Sequence, residues 1–197
     1  MDFKDATRSL YAAADFLAGG YLEDLTDAEL LMRPVPDANH IAWQLGHLIA
    51  AERHLAEAAA PGSMPELPAG WAEHYGRGKP VGDNPADYLS KEAYLRLAKD
   101  IRAATLTALD KLTPAEFDEP VTARVPPFVK KKGDAFMTIP EPRIALRLEQ
   151  LLKQQGRLEQ SKSLSLRTPP VAQNRPGQLP SHVVAPVFPA YFVCEQV

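Results

Sequence analysis

The residues most able to do chemistry lie together in the segment Asn39–His54, NHIAWQLGHLIAAERH. It carries three of the chain's five histidines and one of its two tryptophans, and its apolar residues recur at the spacing of an amphipathic helix. A glycine inside a helix costs about 1 kcal/mol relative to alanine. Gly46, directly before His47, therefore predicts a place where another group approaches the helix backbone closely.

The three histidines of this helix cannot share one metal ion. His40, His47 and His54 fall on one face, but residues seven apart are roughly 10 Å apart along the axis. Each ligand of a zinc ion sits only about 2 Å from it. One histidine could be a single ligand, and His47 is the candidate because it is central and Gly46 leaves room beside it. On spacing alone, the alternative is a hydrogen-bonded core histidine; no catalytic residue is identified.

The other polar residues of the segment receive structural interpretations. Trp43 is predicted to lie in the core. Glu52 projects on the apolar side, where a carboxylate needs a partner, and it is predicted to be a structural acid paired with an arginine. His40 and His54 are near the helix ends and are predicted to be at least partly exposed. His74 lies in a loop with no pattern around it.

Four helical patterns and almost no strand signal predict an all-α fold, a four-helix up-down bundle over residues 1–160. Thr26 and Glu29 have the spacing of a capping box. Residues 61–85 form a loop rich in proline and glycine, and so long a loop often lies over a functional face. The predicted helices are Phe3–Leu25, Asp37 or Asn39 to Ala60, Asn84 or Ser90 to Leu112, and one following Pro142.

The end of the chain has a different character. Six prolines fall within residues 165–197, a density that forbids a regular helix and disfavours a central strand. Residues 161–197 are therefore predicted to be an extended or disordered, Pro-rich tail. Its last residues, VVAPVFPAYFVCEQV, are apolar enough to contact a partner.

Composition narrows the class of protein. The net charge of −3 argues against a general nucleic-acid binder, although residues 1–120 carry 20 acidic and 11 basic residues, and residues 121–197 carry 5 and 11. The single cysteine, Cys194, excludes an internal disulfide framework and suits a reducing cytoplasm. The first residues lack the pattern of a signal peptide, and no apolar stretch approaches the roughly 20 residues that span a bilayer. A cytoplasmic protein without a membrane partner is expected.

The stretch LEDLTDAELLMRPVPDANHIAWQLGHLIAAERH resembles the first signature of the DinB-like (DinB/YfiT) superfamily of four-helix bundles. The likeness covers Leu22–Ala60, and Trp43, Gly46-His47-Leu48 and Glu52 have the family's order and spacing. The resemblance implies a divalent metal, commonly nickel or zinc, held by three histidines, of which His47 matches the one on the second helix. Some relatives are thiol-dependent transferases, in which the ion would lower the pKa of a bound small thiol.

The sequence departs from this family after residue 139. GDAFMTI, residues Gly133–Ile139, resembles the lead-in to the family's fourth helix, which should continue into an HxxxH pair. The chain reads PEPRIALRLEQLLKQQGRLEQ instead. One explanation is genuine loss of the ligands. The other is a change of reading frame near Ile139–Pro140, since the resemblance stops, the charge balance reverses and prolines accumulate together.

Two functions from different classes follow. The first is a metal-dependent, thiol-dependent transferase-type enzyme with an incomplete metal site. The second is a non-catalytic helical module that binds a partner through the apolar tail and the basic residues Lys130–Lys132. The resemblance also implies a small thiol as a partner, and related bundles often pair as homodimers.

Overall fold

The computed structural model describes residues 2–33, 38–76, 78 and 81–139. These residues form helices and no strand, so the predicted all-α fold is confirmed. Two short 3₁₀ turns, Pro85–Asp87 and Glu116–Asp118, join the longer helices. The predicted helix after Pro142, the boundary at residue 160 and the Pro-rich tail lie outside the described residues. The α-helices are α1 (Phe3–Leu22), α2 (Asp27–Leu30), α3 (Ile41–Ala59), α4 (Trp71–Tyr75), α5 (Lys91–Lys111) and α6 (Lys132–Thr138).

Side-chain caps set most of the helix starts. The capping box at α2 is present as predicted: the Thr26 hydroxyl accepts from the Glu29 amide, and the Thr26 amide donates to the Glu29 carboxylate. Of the two predicted starts of α5, Ser90 is the one observed, whereas Asn84 caps the separate 3₁₀ turn Pro85–Asp87. Capping residues satisfy amides that have no partner within the helix.

Lysine and arginine side chains tie α1 to α5 in an antiparallel pair. The Lys91 ammonium at the start of α5 donates to the carbonyls of Leu22, Glu23 and Leu25, at 3.2, 3.1 and 2.5 Å. Leu22 is the last residue of α1 and its carbonyl also accepts from the Leu25 amide at 3.2 Å, whereas Glu23 and Leu25 lie beyond the helix. α1 therefore ends three residues before its predicted end. At the other end of the pair, Arg8 forms an ion pair with Asp110.

The two long helices α3 and α5 run in the same direction, so these consecutive helices do not alternate in the up-down order predicted from the sequence. Glu52 and Arg102 meet near their middles, and Ala59 and Ala108 line one cleft near their carboxyl ends. Parallel neighbouring helices need a long connection, because the chain must return along the bundle before the second helix begins. The parallel arrangement therefore requires a connection that returns along the bundle, and the segment 60–90 provides it.

The core lies around α3, which packs against α4, α5 and α6. Among the described residues, no helix is both long and apolar enough to cross a membrane. The largest fully buried side chains are Tyr11, Tyr94, Phe136, Leu22, Leu25, Leu30, Ile41, Ile101 and Leu109.

Candidate functional site

The imidazole of His47 is held by two neighbours on the half-buried face of α3. Its Nδ1 is 2.9 Å from the backbone carbonyl oxygen of Tyr75. Its ring stacks on the indole of Trp43, with centroids 4.8 Å apart and planes 9° apart. A carbonyl oxygen can only accept, so Nδ1 carries a hydrogen, and in the neutral imidazole the lone pair is on Nε2. Metal-binding histidines commonly donate their second nitrogen to a carbonyl in this way.

The carbonyl that receives this hydrogen bond belongs to α4, a short helix inside the long loop. The last carbonyls of a helix have no helical partner. In α4 two of them are satisfied from α3: the Trp43 indole donates to His74 O at 3.2 Å, and His47 donates to Tyr75 O. The loop thus lies over the part of α3 that carries Trp43 and His47.

Sequence reasoning missed α4 and therefore missed the residue that orients His47. The sequence signal that could have found it is the pair Trp71 and Tyr75, two aromatic residues one helical turn apart. They follow Gly70, which has a φ of +78° and allows the chain to turn into the helix.

Gly46 is where α4 approaches the backbone of α3. A Cβ at Gly46 would lie 2.3 Å from two atoms of the Tyr75 ring, and the Trp71 indole donates to Gly46 O at 3.0 Å. The close approach predicted from this glycine is confirmed. The approaching group is the Tyr75 ring, so the space beside His47 that the sequence left open is filled by an aromatic side chain.

Tyr75 is also fixed from its far side. Its hydroxyl lies 2.6 Å from the hydroxyl of Tyr94, which is fully buried on α5. Burial raises the pKa of both phenols, so they remain protonated at neutral pH and share a hydrogen bond. Tyr75 is therefore held between α3 and α5.

The prediction that His40 is partly exposed is wrong. His40 is fully buried and caps α3: its Nδ1 accepts from the Trp43 amide and its Nε2 donates to Gly82 O, both at 3.1 Å. Burial lowers the pKa of His40, so it stays neutral. Its two nitrogens are both engaged in hydrogen bonds. His54 is exposed, as predicted, and its Nε2 lies 2.8 Å from Arg124 O.

The other predicted structural residues of α3 are confirmed. Trp43 is 8% exposed and lies in the core. Glu52 pairs with Arg102 at 3.1 Å, and Arg102 also contacts Asp15 at 3.3 Å and lies over the Tyr11 ring. Burial raises the pKa of Glu52 to about 7, although the Arg102 charge acts in the opposite direction.

The side chains of Glu52 and His47 project from different sides of α3. Five residues separate them, which is about 140° around the helix. The carboxylate faces Arg102 of α5, whereas the imidazole faces α4. The geometry therefore assigns Glu52 to the packing of the bundle and gives it no contact with His47.

The described part of the chain fits one bond to a metal ion but not a complete site. No three residues among His, Cys, Asp and Glu come close enough there to hold an ion. His74, the remaining histidine of this region, packs its ring against Tyr75 and Tyr88. His182 and Cys194 lie outside the described residues. Of the three histidine ligands that the resemblance implies, the described residues contain one candidate, His47.

Comparison with known proteins identifies one family. The family model of the DinB superfamily matches residues 17–139, which include α2 to α6, His47 and the last six residues of α1. No curated protein and no solved structure matches the chain. The match ends at Ile139, the residue after which the sequence departs from the family pattern.

Proposed function

The chain belongs to the DinB superfamily, and from this premise we propose that it is a metal-binding protein of the thiol-dependent transferase type whose metal site is incomplete. His47 is the proposed ligand, and nickel or zinc is the proposed ion. The observation that carries the proposal is the hydrogen bond from His47 Nδ1 to Tyr75 O, which leaves Nε2 with its lone pair. When bound with open positions, such an ion lowers the pKa of a thiol ligand. No reaction step is assigned, since one imidazole does not make the family's site.

Metal analysis of the purified full chain tests this proposal. After incubation with nickel or zinc and removal of free ion, the wild-type chain is expected to retain metal and a His47→Ala variant to lose it. His54→Ala is the matched control, because His54 is on the same helix but exposed, and it should retain metal like the wild type. Retention by His47→Ala, or no retention by the wild type, contradicts the proposal.

A non-catalytic binding module is the second candidate function. The lack of any three-residue metal group among the described residues favours it. Its predicted basic surface is less available than the sequence indicates, because Lys131 pairs with Asp118 and Lys132 with Glu119, each at 2.7 Å. The apolar tail, which would supply the rest of the interface, lies outside the described residues. A chain that retains no metal under saturating conditions would favour this candidate.

The coding DNA beyond the end of the family match can separate the two explanations for the missing ligands. If the reading frame changes near Ile139–Pro140, translation of the coding DNA in one of its other two frames should give an HxxxH pair within a few residues of codon 139. This outcome would mean that the family's fourth helix is encoded but not translated here. If neither frame contains the pair, the frameshift explanation fails and the ligands have been lost.

A further inference from the structure

We propose that α4 is a positioning element for His47: Tyr75, through its backbone carbonyl, selects the Nδ1–H tautomer of the imidazole, and Gly46 is the residue that permits this contact. The functional meaning of the inference rests on the proposed role of His47 as a ligand. The inference itself concerns a tautomer, which can be measured without any metal. The helix α4 (Trp71–Tyr75) lies outside the segment Leu22–Ala60 in which the sequence resembles the family.

The helix α4 accepts two hydrogen bonds from side chains of α3. Both acceptors are main-chain carbonyls at the end of a helix, and both donors are ring N–H groups of α3, from Trp43 and His47. The two rings are stacked on one another. Rotation of the imidazole would therefore break both a hydrogen bond and a ring contact. The pair of rings acts as one unit that α4 holds in place.

The helices α3 and α4 lie too close together to admit a side chain at position 46. The Trp71 indole donates to Gly46 O, and the Tyr75 ring occupies the space that a Cβ of Gly46 would need. With any larger residue at position 46, the Tyr75 ring has to move by more than the few tenths of an ångström that a flexible neighbour tolerates. The carbonyl of the same residue would move with it.

The Tyr75 side chain cannot move away from Gly46 without breaking another contact. Its hydroxyl is bonded to the buried Tyr94 hydroxyl, and its ring packs against Trp71 with centroids 4.4 Å apart. Displacement at Gly46 is therefore transmitted to the α4 backbone and is not absorbed by the Tyr75 side chain alone. Loss of the Tyr75 O contact would free Nδ1 and allow the hydrogen to move to Nε2, the nitrogen that a metal needs unprotonated.

The test is ¹⁵N–¹H long-range NMR of the imidazoles in the labelled full chain, at pH 8 and without metal. A His47→Ala spectrum identifies the His47 signals. The wild type is expected to show Nδ1 protonated and Nε2 unprotonated. Gly46→Ala should lose this pattern and gain the Nε2–H tautomer. Gly19→Ala is the matched control, because nothing lies within 4 Å of a Cβ there, and it should leave His47 unchanged.

Two further measurements keep the inference testable if Gly46→Ala does not fold. Trp71→Phe removes the donor to Gly46 O while keeping the glycine, and it should raise the fraction of the Nε2–H tautomer. The wild-type spectrum alone also decides, since an Nε2–H tautomer of His47 overturns the inference. An Nδ1–H tautomer that persists in both variants overturns it as well.

Metal titration then separates this inference from the proposed function. If both hold, Gly46→Ala should weaken nickel or zinc binding about 10- to 100-fold, the usual cost of removing a partner that orients a ligand. A wild type with the Nδ1–H tautomer but no metal binding would keep the positioning role and reject the proposed function. A wild type that binds metal, but whose His47 has the Nε2–H tautomer in the metal-free protein, would reject the positioning role and keep the proposed function.

Discussion

Replacing Glu52 with glutamine should remove a contribution that lowers the stability of the wild-type protein as the pH rises from about 4.5 to 7. Burial raises the pKa of Glu52 from 4.5 to about 7, so the folded chain binds this proton more tightly than the unfolded chain does. The contribution of Glu52 to the free energy of unfolding is then highest below pH 4.5, falls as the pH rises, and becomes level above pH 7. A pKa shift of this size corresponds to a fall in that contribution on the order of 3 kcal/mol.

The measurement is urea unfolding of both proteins at a series of pH values, with the difference between their stabilities plotted against pH. Groups that titrate identically in both proteins cancel in this difference. Glu66→Gln is the matched control, because Glu66 forms an exposed pair with Arg53 and exposed pairs contribute little to stability. Parallel curves for the wild type and Glu52→Gln would show that the Glu52 carboxyl titrates normally in the fold.

Phe136→Ala should destabilise the bundle by about 3 to 5 kcal/mol, the usual cost of truncating a buried phenylalanine. Phe136 is fully buried on α6 and lies edge-on to Phe117, with ring centroids 6.5 Å apart. Its backbone carbonyl also accepts the Tyr11 hydroxyl at 2.9 Å. The substitution would open a cavity where α6 meets α1 and the segment that contains Phe117.

Urea unfolding at constant pH measures this effect as a lower midpoint with little change in slope. Phe16→Ala is the control, because Phe16 is 68% exposed, and its effect should stay within about 0.5 kcal/mol. A loss below about 1 kcal/mol for Phe136→Ala would mean that α6 contributes little to the folded state.

Local sequence signals predicted much of the fold correctly because their causes are local. A capping residue acts on amides two or three positions away, so Thr26 and Ser90 could be recognised from their neighbours alone. The amphipathic spacing of α3 and α5 reports which face is buried. The glycine at position 46 indicated a close contact because its cost within a helix has no local compensation.

The features that the sequence did not reveal depend on distant contacts. His40 resembles an exposed histidine near a helix end until Gly82, more than forty residues away, accepts its Nε2 hydrogen. The short helix α4 is shorter than a stable isolated helix and exists through its packing against Gly46 and Tyr94. The partner of Glu52 could be named as an arginine, but only the fold selects Arg102.

The common direction of α3 and α5 has a consequence for the origin of the Tyr75 carbonyl. A helix of 21 residues, such as α5, is about 30 Å long, and an extended chain covers at most about 3.5 Å per residue. Roughly nine residues would therefore suffice to bring the polypeptide back to its starting level. The segment 60–90 is longer than this minimum, and its additional length accommodates the helix that carries Trp71 and Tyr75. A bundle whose consecutive helices alternated in direction would need only a tight hairpin turn here, and no backbone would cross the imidazole to receive its hydrogen.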